Sequence, residues 1–100
     1  MPGTSLQASN LSLDARRRRI LFRSWHRGMR EMDLVFGRFA DAEIASLGSS
    51  ELDDYERLLE APDRDVFNWL TSEAETPSSY DTPVLRRLRA FHSHAGPIHT

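Results

Sequence analysis

The sequence predicts an all-α protein, a compact bundle of five short helices. Apolar residues recur at i, i+3, i+4 and i+7 in several windows, the period of a helix with one buried face. No stretch of four or more residues alternates apolar with polar, as a half-buried strand would. Glycine, proline and serine clusters cut the chain into pieces of helix length.

A first helix is expected over 13–27. Ser12 is placed as its N-cap, Asp14 suits the first turn, and Gly28 stands where a glycine stops a helix. Leu13, Ile20, Leu21, Ser24 and Trp25 then gather on one side. A second helix, 30–47, carries Met32, Val35, Phe36, Phe39 and Ala40 on a buried stripe. Gly37 inside it costs about 1 kcal/mol relative to alanine, which points to a close helix crossing. Gly48-Ser49-Ser50 breaks the chain and offers serine caps to a third helix, 51–60, with Leu52, Tyr55, Leu58 and Leu59 inward. Ala61-Pro62 ends it. Asp63 caps a short fourth helix, to Ser72, bearing Val66, Phe67, Trp69 and Leu70. A Ser/Pro/Glu-rich loop over 73–81 follows. Thr82 as N-cap and Pro83 at the first helical position open a last helix, to about His94, with Val84, Leu85, Leu88 and Phe91.

Residues 1–12 read as a disordered tail and 96–100 as a flexible one, leaving 13–95 as a single domain. One domain is what 100 residues allow. A hydrophobic fraction of 39% with 28% charged suits a globular chain. With no cysteine there is neither a disulfide framework nor a thiolate metal site. The longest apolar run is three residues, against roughly 18 needed to cross a bilayer, so no membrane insertion is expected. Residues 1–12 carry no charge and no apolar signal core, and they lack the arginines of a mitochondrial leader. A cytoplasmic bacterial location is the expectation.

All 13 basic residues are arginine, and the net charge is -2. Arginine suits interfaces because its planar fork stays charged when partly desolvated; codon bias in a GC-rich genome accounts for the same count. The run Arg16-Arg17-Arg18-Arg19 disperses around a helix, leaving Arg16, Arg19, Arg23 and Arg27 on one face. That stripe is either a solvated face or a dock for an acidic surface. Nucleic acid is not the expected partner, since such domains are more basic overall. Arg17 falls on the apolar side and must snorkel or find a carboxylate. The four histidines, His26, His92, His94 and His99, have no chelating spacing, so no metal site is expected. No catalytic residues are assigned: there is no strained serine elbow and no glycine-rich phosphate loop.

The stretch Arg27-Gly28-Met29-Arg30-Glu31-Met32-Asp33 falls at a helix-to-helix corner. Glycine lets the backbone turn there, and Glu31 lies in the first turn of the next helix, where the dipole favours a carboxylate. Such a corner is either a braced turn or a rigid cluster of charges offered to a partner.

Ser24 to Asp33, SWHRGMREMD, resembles the Arg-Gly-x-x-Glu signature of the succinate dehydrogenase assembly factors, the small flavinator proteins. Leu58 to Leu70, LLEAPDRDVFNWL, is similar to a second block of that family, in the expected order. The resemblance covers about Arg18 to Phe91. It implies a five-helix bundle, not itself an enzyme, that binds the flavoprotein subunit of succinate dehydrogenase and promotes covalent attachment of FAD to it. The flavoprotein of fumarate reductase is a second candidate partner. No cofactor is held tightly by the chain on this reading; FAD belongs to the partner. Carried across by position, Arg27, Gly28 and Glu31 are the partner-binding residues, with Arg30 and Asp33 beside them. Asp63, Phe67 and Trp69 of the second block are expected to be structural. The competing reading is a different helical interaction module, such as an antitoxin or regulatory adaptor, working through Leu34 and the basic stripe.

Overall fold

The computed structural model describes residues 13–95. Five helices follow one another: α1 (Ala15–Trp25), α2 (Arg30–Glu43), α3 (Ser49–Glu60), α4 (Asp63–Leu70) and α5 (Pro83–Ala95). Single 3-10 turns at Ile44–Ser46 and Ser78–Tyr80 interrupt the connections. Among the described residues there is no strand. The tails expected over 1–12 and 96–100 lie outside the described residues.

The helix ends depart from the expected ones at several points. At the start of α4, Pro62 is the N-cap and Asp63, expected there, is the first helical residue, with its carboxylate turned to Arg27. Asp14, not Ser12, caps α1, its carboxylate accepting from Arg17 N–H at 2.8 Å. That bond, with the Arg17 guanidinium beside it, holds the Asp14 carboxyl below its ordinary range. At its other end α1 stops at Trp25, three residues before Gly28. The second helix ends at Glu43 rather than continuing to 47. Arg17 pulls the next turn toward α1 by donating to Ile44 C=O at 3.0 Å and Leu47 C=O at 2.5 Å. The arginine thus snorkels onto carbonyls and finds a carboxylate as well, pairing with Asp14. Helix α3 starts at Ser49, with Gly48 as its N-cap. Glu51 reaches back to accept from Gly48 N–H at 3.0 Å, so no serine side chain is needed. Helix α4 stops at Leu70, because Ser72 turns to a positive φ of 64°. Thr82 caps α5 as expected, accepting from Leu85 N–H at 3.2 Å.

Each helix buries the stripe its periodicity marked. Phe36, Phe39, Ile20, Val66, Val84, Leu85 and Leu88 are solvent-free in one continuous cluster, and Phe67, Tyr80, Phe91 and Trp25 pack on its margin. Tyr55 stands at the centre, in ring contact with Phe36 and Phe39. Its hydroxyl meets the buried Ser24 hydroxyl at 2.9 Å and donates to Phe36 C=O at 3.3 Å, so burial leaves no orphaned polar group there. Burial also pushes the Tyr55 phenol above its ordinary range. At Gly37 α1 and α2 meet closely: the Trp25 indole lies on the bare backbone, in space a Cβ would need. On the opposite flank Arg87 of α5 joins Glu43 and Glu51, tying three helices together.

His92 is another buried polar side chain, donating through Nε2 to Val35 C=O at 2.8 Å. Burial depresses its proton affinity below the ordinary 6.5, the Val35 carbonyl opposes that, and the Arg38 charge adds to it. With the folded value below the unfolded one, the unfolded chain binds the extra proton. The contribution is therefore complete above pH 6.5 and fades as pH falls from there. The melting temperature is expected to drop between pH 7.5 and 5.5, and His92→Gln should flatten that slope. Asp14 and Glu51, with ordinary values of 3.8 and 4.5 and both shifted down, act only at more acidic pH.

Candidate functional site: the corner between the first two helices

The chain leaves α1 at His26, whose N–H still reaches Arg23 C=O at 3.3 Å, and re-enters a helix at Arg30. Gly28 lies between, at φ +103°. A side chain there would meet nothing within 4 Å. Glycine is required by the backbone conformation alone, which other residues adopt only with strain.

Arg27 turns inward from this corner. Its side chain is only 12% exposed and pairs with Asp63, itself 15% exposed, at 2.7 Å. The same guanidinium donates to Leu59 C=O and Ala61 C=O, and lies over the Phe36 ring at 5.2 Å. It therefore satisfies carbonyls at the end of α3, an acid at the start of α4 and the face of an α2 aromatic. Its backbone N–H donates to the Asp33 carboxylate at 2.5 Å, bracing the turn from the other side. Arg27, Asp33 and Asp63 thus form one network joining two corners far apart in sequence.

Arg30 and Glu31 take the opposite course. Both are exposed, as are Gly28 and Met29. Glu31 and Asp33 occupy the first turn of α2, where the unpaired N–H groups of a helix favour negative charge. Of the second block, Trp69 is buried, in ring contact with Tyr80, and Phe67 is half-buried. The structure thus gathers Arg27, Gly28, Arg30, Glu31, Asp33 and Asp63 at one place, and leaves Phe67 and Trp69 as packing of α4.

The arginine stripe of α1 does not survive as a unit. Arg16 pairs with Asp53 and Glu56 of α3 at 2.6 and 2.7 Å, and Arg27 is internal. The side chains of Arg19 and Arg23 have no ion pair or hydrogen bond among the described residues. Leu34 is half-buried. One feature had a legible signal that the apolar stripe overshadowed: Phe22 is 63% exposed. Helical winding sets it opposite Ile20, Leu21 and Ser24, so a large aromatic on the outer face could have been found from spacing.

The chain matches the family model described as flavinator of succinate dehydrogenase over residues 18–92, a span holding both corners. It is 40% identical over 90 residues to the FAD assembly factor SdhE of Acetobacter pasteurianus, covering 87% of this chain and 83% of that one. It is 44% identical over 73 residues to the mitochondrial succinate dehydrogenase assembly factor 2 of Dictyostelium discoideum, covering 73% of this chain and 52% of the other. The corresponding protein of Debaryomyces hansenii is 38% identical over 66 residues, 66% of this chain and 46% of its own. The chain thus spans about half the length of these mitochondrial relatives. No solved structure matches it.

Proposed function

The chain belongs to the family of succinate dehydrogenase flavinators, and from that premise we propose that it binds the flavoprotein subunit of succinate dehydrogenase and promotes covalent attachment of FAD there. The observation that carries this reading is the division of labour at the corner. Arg27, Asp33 and Asp63 hold the turn from within, and Arg30 and Glu31 are left exposed on a rigid projection.

A rigid corner of mixed charge suits positioning. Orienting two reacting groups is worth up to about 7–11 kcal/mol in favourable cases, and needs no reacting group on the helper. The chain is an accessory factor on this reading, and FAD is cargo delivered to the partner. Glu31 and Arg30 face the partner's polar surface, Gly28 keeps the turn in its left-handed form, and Arg27 sets the position of all three. The flavoprotein of fumarate reductase is a partner of the same chemistry. No helix among the described residues is long and apolar enough to cross a membrane. We place the action in the bacterial cytoplasm, supported by the similarity to the Acetobacter protein.

The test is a pull-down of the flavoprotein subunit, with its covalent flavin read by in-gel fluorescence. Glu31→Ala, at an exposed site, is expected to melt within about 4 °C of wild type, since surface changes stay near 0.5 kcal/mol. It should nevertheless lose most of the retained subunit and of its fluorescence. Gly28→Leu should do likewise, with a stability loss of about 1–3 kcal/mol from the positive φ. Full flavinylation with Glu31→Ala would remove the corner as the acting feature, and failure of wild type to retain any flavoprotein would sink the function itself.

A further inference from the structure

The outer face of α1 carries the most exposed large apolar side chain among the described residues. It presents Phe22, 63% exposed, in a shallow groove formed with Ala15, Arg18, Arg19 and Arg23. The ring is held in place: His26 stacks on it with centroids 3.9 Å apart and 18° between planes. His26 is itself fixed through Nδ1, which donates to Phe22 C=O at 2.7 Å. A pre-ordered aromatic loses little freedom on burial by a partner, which is the property of an interface anchor.

The surroundings state what the partner must look like. Helix α1 contains five arginines and no acid, and Arg19 and Arg23 have no ion pair among the described residues. Other arginines are matched by carboxylates, as Arg16, Arg27 and Arg87 are. The second exposed large apolar side chain among the described residues, Met29 at 45%, follows directly at the corner. The two exposed apolar anchors therefore bracket the Arg27-Gly28 turn, and the charge around the first is of one sign.

We infer that the outer face of α1, centred on Phe22 and ringed by Arg18, Arg19 and Arg23, is a second docking surface continuous with the corner, and that it seats in an acid-rimmed apolar depression of the flavoprotein subunit. The inference rests on the partner proposed above. A protein surface fits better than a polyanion: the chain's net charge of -2 opposes long-range attraction to nucleic acid or an anionic bilayer. A single fixed ring with arginines around it also matches a pocket of defined shape. The aromatic supplies residence time, and the arginines steer the encounter.

The experiment measures binding of the full chain to purified flavoprotein subunit by biolayer interferometry at low and physiological salt. Phe22→Ala should raise Kd about tenfold or more, chiefly through faster dissociation. The pair Arg19→Glu with Arg23→Glu should slow association and flatten its salt dependence, with circular dichroism and melting unchanged in both variants. If wild type binds and both variants bind within twofold of it, this inference is wrong while the proposed function stands. If wild type fails to bind, the proposed function fails and takes this surface with it. Vesicles of phosphatidylglycerol and phosphatidylcholine form the control. Vesicle binding lost in Phe22→Ala, with flavoprotein binding intact, would reassign the face to lipid and overturn the inference.

Discussion

Asp63→Ala is expected to cost about 3 kcal/mol, because it strands the Arg27 guanidinium in a site only 12% open to water. For a domain this size that lowers the melting temperature by roughly 12–24 °C. The carbonyls of Leu59 and Ala61 remain as acceptors, which keeps the loss near the lower end for a broken buried pair. Asp63→Asn retains an acceptor and should fall between the variant and wild type. Arg27→Lys should be nearly as damaging as Arg27→Ala. An ammonium cannot at once reach the carboxylate and two carbonyls and lie flat over Phe36. Thermal melts of these variants, with a double-mutant cycle between Arg27 and Asp63, give the coupling. A cycle energy near zero, or a melt of Asp63→Ala close to wild type, would show that the pair does not hold the corner. Arg27→Ala should then lose partner binding together with stability, and Glu31→Ala should lose binding alone. That separation distinguishes a residue that positions the corner from one that touches the partner.

Gly37→Ala is the second large effect, and its sign is decided by geometry against propensity. In an exposed helix the change would be worth about 1 kcal/mol of stabilisation. Here the new Cβ would stand 2.2 Å from Trp25 Cδ2 and 2.5 Å from Cε2 and Cε3. Those atoms belong to the body of a rigid ring, so the indole must leave. Its hydrogen bond from Nε1 to Asp41, 3.1 Å long, goes with it. A net loss of about 2 kcal/mol is expected from overpacking, with a fall of roughly 8–16 °C in melting temperature and a red shift in tryptophan emission. Trp25→Leu should relieve the clash, making Gly37→Ala far milder in that background. A variant that melts at or above wild type would mean that the two helices do not rely on this approach.

The sequence by itself determined the helical class, the five segments and the side of each that is buried. Those follow from local periodicity, and the stripe from Met32 to Ala40 or from Leu52 to Leu59 admits one face only. It also determined the two blocks that carry family membership, and it pointed to Gly37 as a crossing. Helix ends were less legible, because caps compete at neighbouring positions: Asp14 displaced Ser12, and Glu51 made serine caps for α3 unnecessary. Arg17 shortened α2 through carbonyls 27 and 30 positions away.

Only the tertiary structure decided which charged residues face inward. Arg27 and Glu31 look equivalent in a string, yet one is clamped by Asp63 and the other is exposed. The reason is physical. A buried charge needs its partner in space, and Asp63 stands 36 positions further along the chain, beyond what any helical period can relate. That ion pair fuses the two sequence blocks into one corner, and it exists only once α1, α2, α3 and α4 have packed.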